Sequence, residues 1–326
     1  MLRRSPLPCI IALATYWSAA CAPAAVAQSF PAKPIRLVAP FSAGGGGDTV
    51  ARLIAQKLGE VYGQQVIVDN RAGANNIIGT EVVARAAPDG YTILIVNNSH
   101  ASNTYVFRKL PYDAVADFAP ISLVALTPYM VMVHPSLPAR SVRELIELAR
   151  AKPGQLNYAS AGIGSVGHFA TELLRVSTRI DIVHIPYKGI TSAVIDTIAG
   201  ATQLIIASPL SAQPQVKAGK LRALAVTTAA RSRAMSELPT LQESGVAGYE
   251  FSSCYALLAP RAVPDPVIAS LNQSVTRVLQ QKDVQARLAS EAADPAGGTP
   301  QQLADYLGQQ SEKFAKLVKA IGLKPE

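Results

Sequence analysis

Short apolar strand segments alternate with amphipathic helical segments from Ile35 onward. That alternation confines the chain to the α/β class. Ile35 to Ala39 reads as a strand. Thr49 to Tyr62 reads as a helix whose Val50, Leu53, Ile54, Leu58 and Val61 share one face. A strand at Gln65 to Val68, a helix at Ile77 to Ala87 and a strand at Tyr91 to Val96 follow. Residues 97–117 show little regular pattern. A second series has strands at Leu156–Ser160, Ile180–Ile185, Gln203–Ala207 and Leu221–Val226. Helices at His168–Ser177, Thr191–Ile198 and Ala212–Lys217 separate them. The long apolar runs Ile121–Val133, interrupted by Pro128, and Phe251–Ala259 stand between the two series and suit chain crossings. Ser141-Val-Arg-Glu144 and Thr299-Pro-Gln-Gln302 predict capping boxes, and the chain after Ala259 reads as helical. The expectation is two α/β lobes joined by two crossovers: residues 28–128, then 129–253, then a return over 254–326. A cleft should lie where the strands of both sheets end.

The 326 residues are 49% hydrophobic and 16% charged, which suits two packed domains and excludes a disordered chain. The first 27 residues read as a secretory signal: Arg3 and Arg4, an apolar stretch from Ile10 to Ala20, and small residues at Ala25-Val-Ala27 before Gln28. That stretch is too short to span a bilayer. Cys21 after Ser18-Ala-Ala20 offers a second reading, a lipid-anchored protein, although the first lipobox position lacks its usual Leu. Of the three cysteines, Cys9 and Cys21 fall in the segment removed, leaving Cys254 with no disulfide partner and the character of a small core residue. Lys and Arg total 30 against 22 acids; removing Arg3 and Arg4 leaves 28 against 22, a net +6. No basic run or basic-aromatic interleaving is present, so nucleic acid is not an expected partner. A mildly positive body suits an anion.

Four loops could carry chemistry. Phe41-Ser42-Ala43-Gly44-Gly45, extended by Gly46-Gly47-Asp48, joins a strand to a helix; its glycines let backbone N–H groups and the helix dipole approach an anion, with Asp48 expected to cap the helix. No Lys-Ser/Thr follows, so it is not a phosphate-binding P-loop. Ser160-Ala161-Gly162-Ile-Gly164-Ser165-Val-Gly167-His168 matches G-x-G-x-x-G, but no acid ends the following strand to hold a ribose. A second anion cradle is the better reading, with Ser165 facing the cleft and His168 either a ligand contact or a buried helix-start histidine. Asn97-Asn98-Ser99-His100 ends a strand with neutral polar groups. Ile185-Pro-Tyr187-Lys188-Gly189 offers Lys188 as a carboxylate partner or a solvated lysine, with Tyr187 as packing or cleft wall.

No catalytic set emerges. Gly164-Ser165-Val-Gly167 only approaches a nucleophile elbow, and no acid is placed to orient a Ser165–His168 pair. His100, His134, His168 and His184 lack metal-ligand spacing, and no cofactor is expected.

Pro31-Ala-Lys-Pro-Ile-Arg-Leu-Val38, Pro40 to Asp48, and Val68-Asp-Asn-Arg-Ala-Gly73 resemble segments of the Bug receptors, substrate-binding proteins of tripartite tricarboxylate transporters. Ala86-Ala-Pro-Asp-Gly-Tyr-Thr92, Leu110-Pro-Tyr-Asp113, Asn157-Tyr-Ala-Ser-Ala-Gly162, Ile185 to Gly189, Lys217 to Thr227 and Leu257-Leu-Ala-Pro260 extend the resemblance in order over nearly the whole chain after residue 30. It implies a type II periplasmic-binding-protein fold that closes on a small carboxylate. It also implies a periplasmic, non-enzymatic, monomeric protein that presents its ligand to membrane permease subunits. By position, Phe41 to Gly45, Asn97 to His100, Ser160 to Gly162 and Ser165 to His168 should line the cleft, with Ala207 and Ser208 standing where the family often carries Asp-Asn. Ala43, Gly47, Ile163 and Val166 also depart from the pattern, toward smaller or less polar residues. The departures suggest a less polar carboxylate, aromatic or branched, rather than a zwitterionic amino acid. Two other readings stay open: a ligand-sensing receptor for a signalling partner, and a secreted transferase or hydrolase using the same cleft.

Overall fold

The computed structural model describes residues 30–290 and 292–325. The segment read as a secretory signal, its expected cleavage site and Cys21 lie outside the described residues. Two separate sheets organise the chain. The first has six strands in the order β11-β4-β10-β3-β1-β2: β1 Ile35–Ala39, β2 Val66–Asn70, β3 Thr92–Val96, β4 Phe118–Pro128, β10 Ser252–Pro260 and β11 Asp294–Gly297. The second has five in the order β7-β6-β8-β5-β9: β5 Met130–Val133, β6 Asn157–Ser160, β7 Val183–Pro186, β8 Leu204–Ala207 and β9 Arg222–Val226. Each holds a parallel trio, β2-β1-β3 and β7-β6-β8, while β10, β4, β11, β5 and β9 pair antiparallel.

Tyr129 is the single residue between β4 and β5, so the chain passes from one sheet to the other in one step. It returns between β9 and β10. Pro128 is tolerated because it ends β4 rather than interrupting it. The helices are α1 Gly46–Tyr62, α2 Ile77–Ala84, α3 Ser99–Val106, α4 Val142–Ala151, α5 Val166–Thr178, α6 Ile190–Ile198, α7 Pro209–Lys217, α8 Asp265–Leu279, α9 Lys282–Ser290 and α10 Pro300–Ile321. Helix α1 buries Val50, Ile54 and Leu58 against Leu37, Ile93 and Ile95. Each such side chain contributes about 1.5–3 kcal/mol by leaving water. The second core gathers Val131, Tyr158, Phe169, Leu174 and Ile206. Helix α10 reaches that core: its Phe314 ring centroid lies 5.0 Å from Phe169 and 6.3 Å from Phe251.

Three local expectations are corrected. Residues 99–106, read as patternless, form α3; its Ser102 and Asn103 are buried, so no apolar stripe announces it. β11 lies in a segment read as helical, and Asp-Pro-Ala-Gly is held there by backbone pairing to β4. Ser141 accepts from Glu144 N–H, but the Glu144 carboxylate takes Arg140 N–H, one residue before a true box. At α10 both halves of the Thr299–Gln302 box form.

Candidate functional site

A cavity of about 490 Å³ opens between the sheets. The loops after all six parallel strands line it: Phe41, Ser42 and Gly45 after β1, Ala72–Asn76 after β2, Asn97 and Ser99 after β3, Ala161–Ile163 and Ser165 after β6, Tyr187–Gly189 after β7 and Ser208 after β8. Five helices begin at its wall, since Gly46 and Gly47 (α1), Ser99 (α3), Val166 and Gly167 (α5), Ile190 (α6) and Ser211 (α7) also line it. The first-turn N–H groups of a helix have no intrahelical partner, and five dipole ends make this space electropositive. Among the described lining residues none is acidic, and the exposed Lys188 is the only cation. Phe41, Phe107, Tyr129, Ile163, Val166, Tyr187, Ile190 and Tyr255 supply apolar wall.

The glycine run is built differently from the expectation. Gly45 is the N-cap of α1 and offers no side-chain bond. Asp48, in the first turn, reaches back to accept Gly44 N–H at 2.9 Å, and also takes Arg52 Nε at 3.0 Å and Asn70 Nδ2 at 2.9 Å. Burial would raise its carboxyl, but these bonds outweigh it and hold it below the usual carboxylate range. A β-carbon on Gly47 would sit 2.6 Å from Phe41 Cγ and 2.7 Å from Cε2, so the absence of a side chain there lets the Phe41 ring lie on the helix start.

Of the expected contacts, Phe41, Ser42, Gly45, Asn97, Ser99, Ala161, Gly162, Ser165 and Ser208 line the cavity. Ala43 and Gly44 are exposed outside it. The other five point away. Asn98 staples β10, donating to Ser252 O and accepting Cys254 N–H, both at 2.9 Å. His100 is buried against Tyr112 and Phe118 with Nε2 2.8 Å from Ala114 O. Its Nε2 therefore carries the proton, and burial lowers its pKa to about 4. Ser160 is fully buried, its Oγ 2.6 Å from His184 Nε2. His168 is buried with Nδ1 accepting Gly164 N–H. Ala207 is fully buried in β8 opposite Met130.

The Ser165–His168 pair is not a nucleophile and base. Ser165 Oγ caps α5 by accepting the backbone N–H of His168, and the imidazole faces Gly164. Cys254 is buried in β10, and burial pushes its thiol up to about 12.

Asn75 and Asn76 line the cavity but were not singled out in the sequence. Ala74, Asn75 and Asn76 hold φ of 46°, 48° and 75°, three successive left-handed residues without a glycine. Such backbone costs about 1–3 kcal/mol per residue. An asparagine network secures it: Asn75 Nδ2 donates to Asn103 Oδ1 at 2.7 Å, Asn103 returns a bond to Asn75 O, and Asn76 donates to Asn97 Oδ1 at 3.1 Å. The readable signal was the tract Gly73-Ala-Asn-Asn76, since Asn tolerates this backbone region.

Residues 50–323 match the model of the tripartite tricarboxylate transporter family receptor, TctC. The chain belongs to this receptor family. The receptor is 34% identical over 300 residues to the protein BugT of Bordetella pertussis, covering 91% of this chain and 92% of BugT. It superposes on the R. palustris protein Rpa4515 with adipate at TM-score 0.88 and 39% identity, covering 91% of this chain and all of the other. MatC from Rhodopseudomonas palustris with bound malate matches at TM-score 0.83 and 30% identity, covering 89% and 100%. The resemblance read from the sequence motifs is correct, and so is the two-lobed α/β fold of periplasmic binding proteins. The family is one of substrate-binding receptors. No helix among the described residues is long and apolar enough to cross a membrane.

Proposed function

We propose that this receptor, exported through its first 27 residues, works in the periplasm as a monomer that closes on a small organic carboxylate and hands it to membrane permease subunits. The carrying observation is the meeting of six strand ends and five helix starts on one cavity free of acidic lining residues. Such a space favours negative charge through backbone donors and gives no carboxylate to a ligand ammonium group. The apolar wall favours a carboxylate with a hydrocarbon body over citrate or an amino acid. Adipate in Rpa4515, a relative at 39% identity, is a ligand of that kind. Closure would move the five-stranded sheet against the six-stranded sheet about the two crossings, with Tyr129 at one of them. Phe41, Ser42, Gly45, Asn75, Asn76, Asn97, Ser99, Gly162, Ser165 and Ser208 are the proposed contacts.

Thermal unfolding of the chain from Gln28, against adipate, malate, citrate, aromatic acids and aspartate, tests the reading. A ligand specific to the folded state raises Tm as its concentration passes Kd. The expected result is a rise with an apolar mono- or dicarboxylate and none with its amide. No rise with any acid, on protein unfolded and refolded to strip bound ligand, refutes it.

A further inference from the structure

Behind the Ser160–Ser165 loop, away from the cavity, lies a stack of rings in which Tyr158 and His168 are buried and His184 is half-buried. His184 sits 4.7 Å from Tyr158 and 4.3 Å from His168, with interplanar angles of 17° and 26°. Each imidazole spends one nitrogen on the loop. His168 Nδ1 accepts Gly164 N–H at 3.2 Å. Ser160 Oγ donates to Gly162 O at 3.0 Å and accepts Gly162 N–H at 3.1 Å, and His184 Nε2, 2.6 Å away, donates to the same oxygen. Gly162 and Gly164 hold φ of 120° and 74°, backbone that turns these two N–H groups from the cavity toward the histidines. The loop's other side is tied across the cleft, where Ser102 Oγ of α3 donates to Gly164 O at 3.3 Å. The loop shape thus depends on what the two rings accept and donate.

An imidazole accepts through Nδ1 only while neutral. A second proton on His168 would set N–H against N–H at Gly164 and place a cation on a ring 4.3 Å away. The charged and titratable groups facing the pair are Tyr158 on β6 and Glu172 and Arg175 on α5. Tyr158 donates to Glu172 at 2.7 Å, and Arg175 clamps the same carboxylate at 2.7 and 2.9 Å. Glu172 is therefore already paired, and its pull on an imidazolium is outweighed by burial.

We propose that His168 and His184 are positioning residues for the cleft: as neutral rings they hold the Ser160–Ser165 loop in its ligand-receiving shape, and protonation of His168 lets the loop go. The site becomes acid-releasable without any titrating side chain touching the ligand. Burial supports this, lowering both imidazoles to about 4, with the neighbouring His168 lowering His184 further. The rings stay neutral at pH 7 and charge only in strong acid. This inference rests on the cavity's being the anion site.

The test must separate the rings from the ligand's own carboxyl titration. NMR on unliganded wild-type protein needs no ligand. The Gly164 amide proton should shift with the same midpoint as the His168 ring protons, below pH 5. A Gly164 amide that stays fixed while the His168 ring titrates overturns the proposal, whether or not a carboxylate binds. For affinity, adipate is the probe. His168→Phe, which keeps a ring but no acceptor, should bind at least tenfold more weakly at pH 7. His168→Asn, which keeps an acceptor and cannot titrate, should stay within about threefold of wild type and lose less affinity than wild type between pH 7 and 4.5. Equal acid losses in wild type and His168→Asn, or wild-type affinity in a folded His168→Phe, refute it. If wild type binds no carboxylate while the Gly164 amide follows the His168 ring, the functional reading fails and the positioning role stands.

Discussion

Gly46 is the position where closure can be tested by one methyl group. A β-carbon there would lie 2.7 Å from Leu210 Cβ on α7, and 3.1 Å from both Ser208 Oγ and Tyr255 Oη. Carbon atoms rest about 3.5–4.0 Å apart, so α1 and α7 must part by about 1 Å. Leu210 Cβ is tethered to its backbone and cannot rotate away. Overpacking of this kind costs about 1–3 kcal/mol, equivalent to about 5- to 160-fold in Kd. Helix α1 follows the first strand of one sheet, whereas α7 lies between two strands of the other. If the lobes part in the free receptor, the Leu210 and Ser208 contacts exist only in the closed form, whereas the contact with the Tyr255 hydroxyl, on β10 of the sheet that α1 covers, is present in both and is relieved by a small movement of that side chain. Gly46→Ala should then weaken carboxylate binding by that factor in titration calorimetry and leave the unliganded Tm within about 2 °C. Gly45→Ala is the graded control: its β-carbon would meet Ser42 O at 3.3 Å and Ile190 Cγ2 at 3.7 Å, and the loss should be smaller. A fall in unliganded Tm with affinity unchanged would show that the α1–α7 contact is a fixed part of the fold, and the closure argument would be wrong.

Gly47→Ala should force the Phe41 ring off the helix start into the cavity, weakening bulky aromatic acids by at least tenfold and short dicarboxylates less, as read by calorimetry on both classes. Equal losses would show that the ring does not set the cavity's size. His100 gives a pH signature: its folded pKa of about 4 lies below the unfolded value of about 6.5, so its contribution is full above pH 6.5 and falls as pH drops toward 4. At about 1.4 kcal/mol per pH unit the limit is about 3 kcal/mol, visible in urea midpoints and reduced in His100→Asn; identical slopes in the two proteins would contradict it. Glu172 is 8% exposed; burial would raise its carboxyl, but Arg175 and Tyr158 hold it below the usual range. Arg175→Met should therefore cost about 3–5 kcal/mol by leaving a buried charge, measurable by urea unfolding; a loss under 1 kcal/mol would mean solvent replaces the arginine.

The sequence revealed elements whose period and boundaries agree, such as β1 between Pro34 and Pro40, or α1 stopped by Gly63 in the left-handed region. It hid α3, whose Ser-His-Ala-Ser-Asn run, residues 99–103, is buried although four of the five side chains are polar. The loops of the site were legible because glycines and polar residues follow apolar strands. Which residue in a loop faces the ligand was not. Asn97 and Ser99 line the cavity while Asn98 and His100 turn into the core, because the chain begins to coil into α3 there and neighbouring positions diverge. Asn75 and Asn76 escaped notice because their conformation depends on Asn103 and Asn97, partners 28 and 21 residues away.

The proposed anion site is built largely from helix starts and glycine backbone rather than from charged side chains. Main-chain donors are encoded by every amino acid except proline, so drift in the gene leaves them standing. A lineage of such receptors can therefore change its cargo by exchanging wall residues such as Phe41, Ile163 and Val166 while retaining the grip on the acid group. For the experimenter the corollary is that alanine scanning will understate that grip, and amide-to-ester backbone replacement at Gly46 or Gly167 is the chemistry that can expose it.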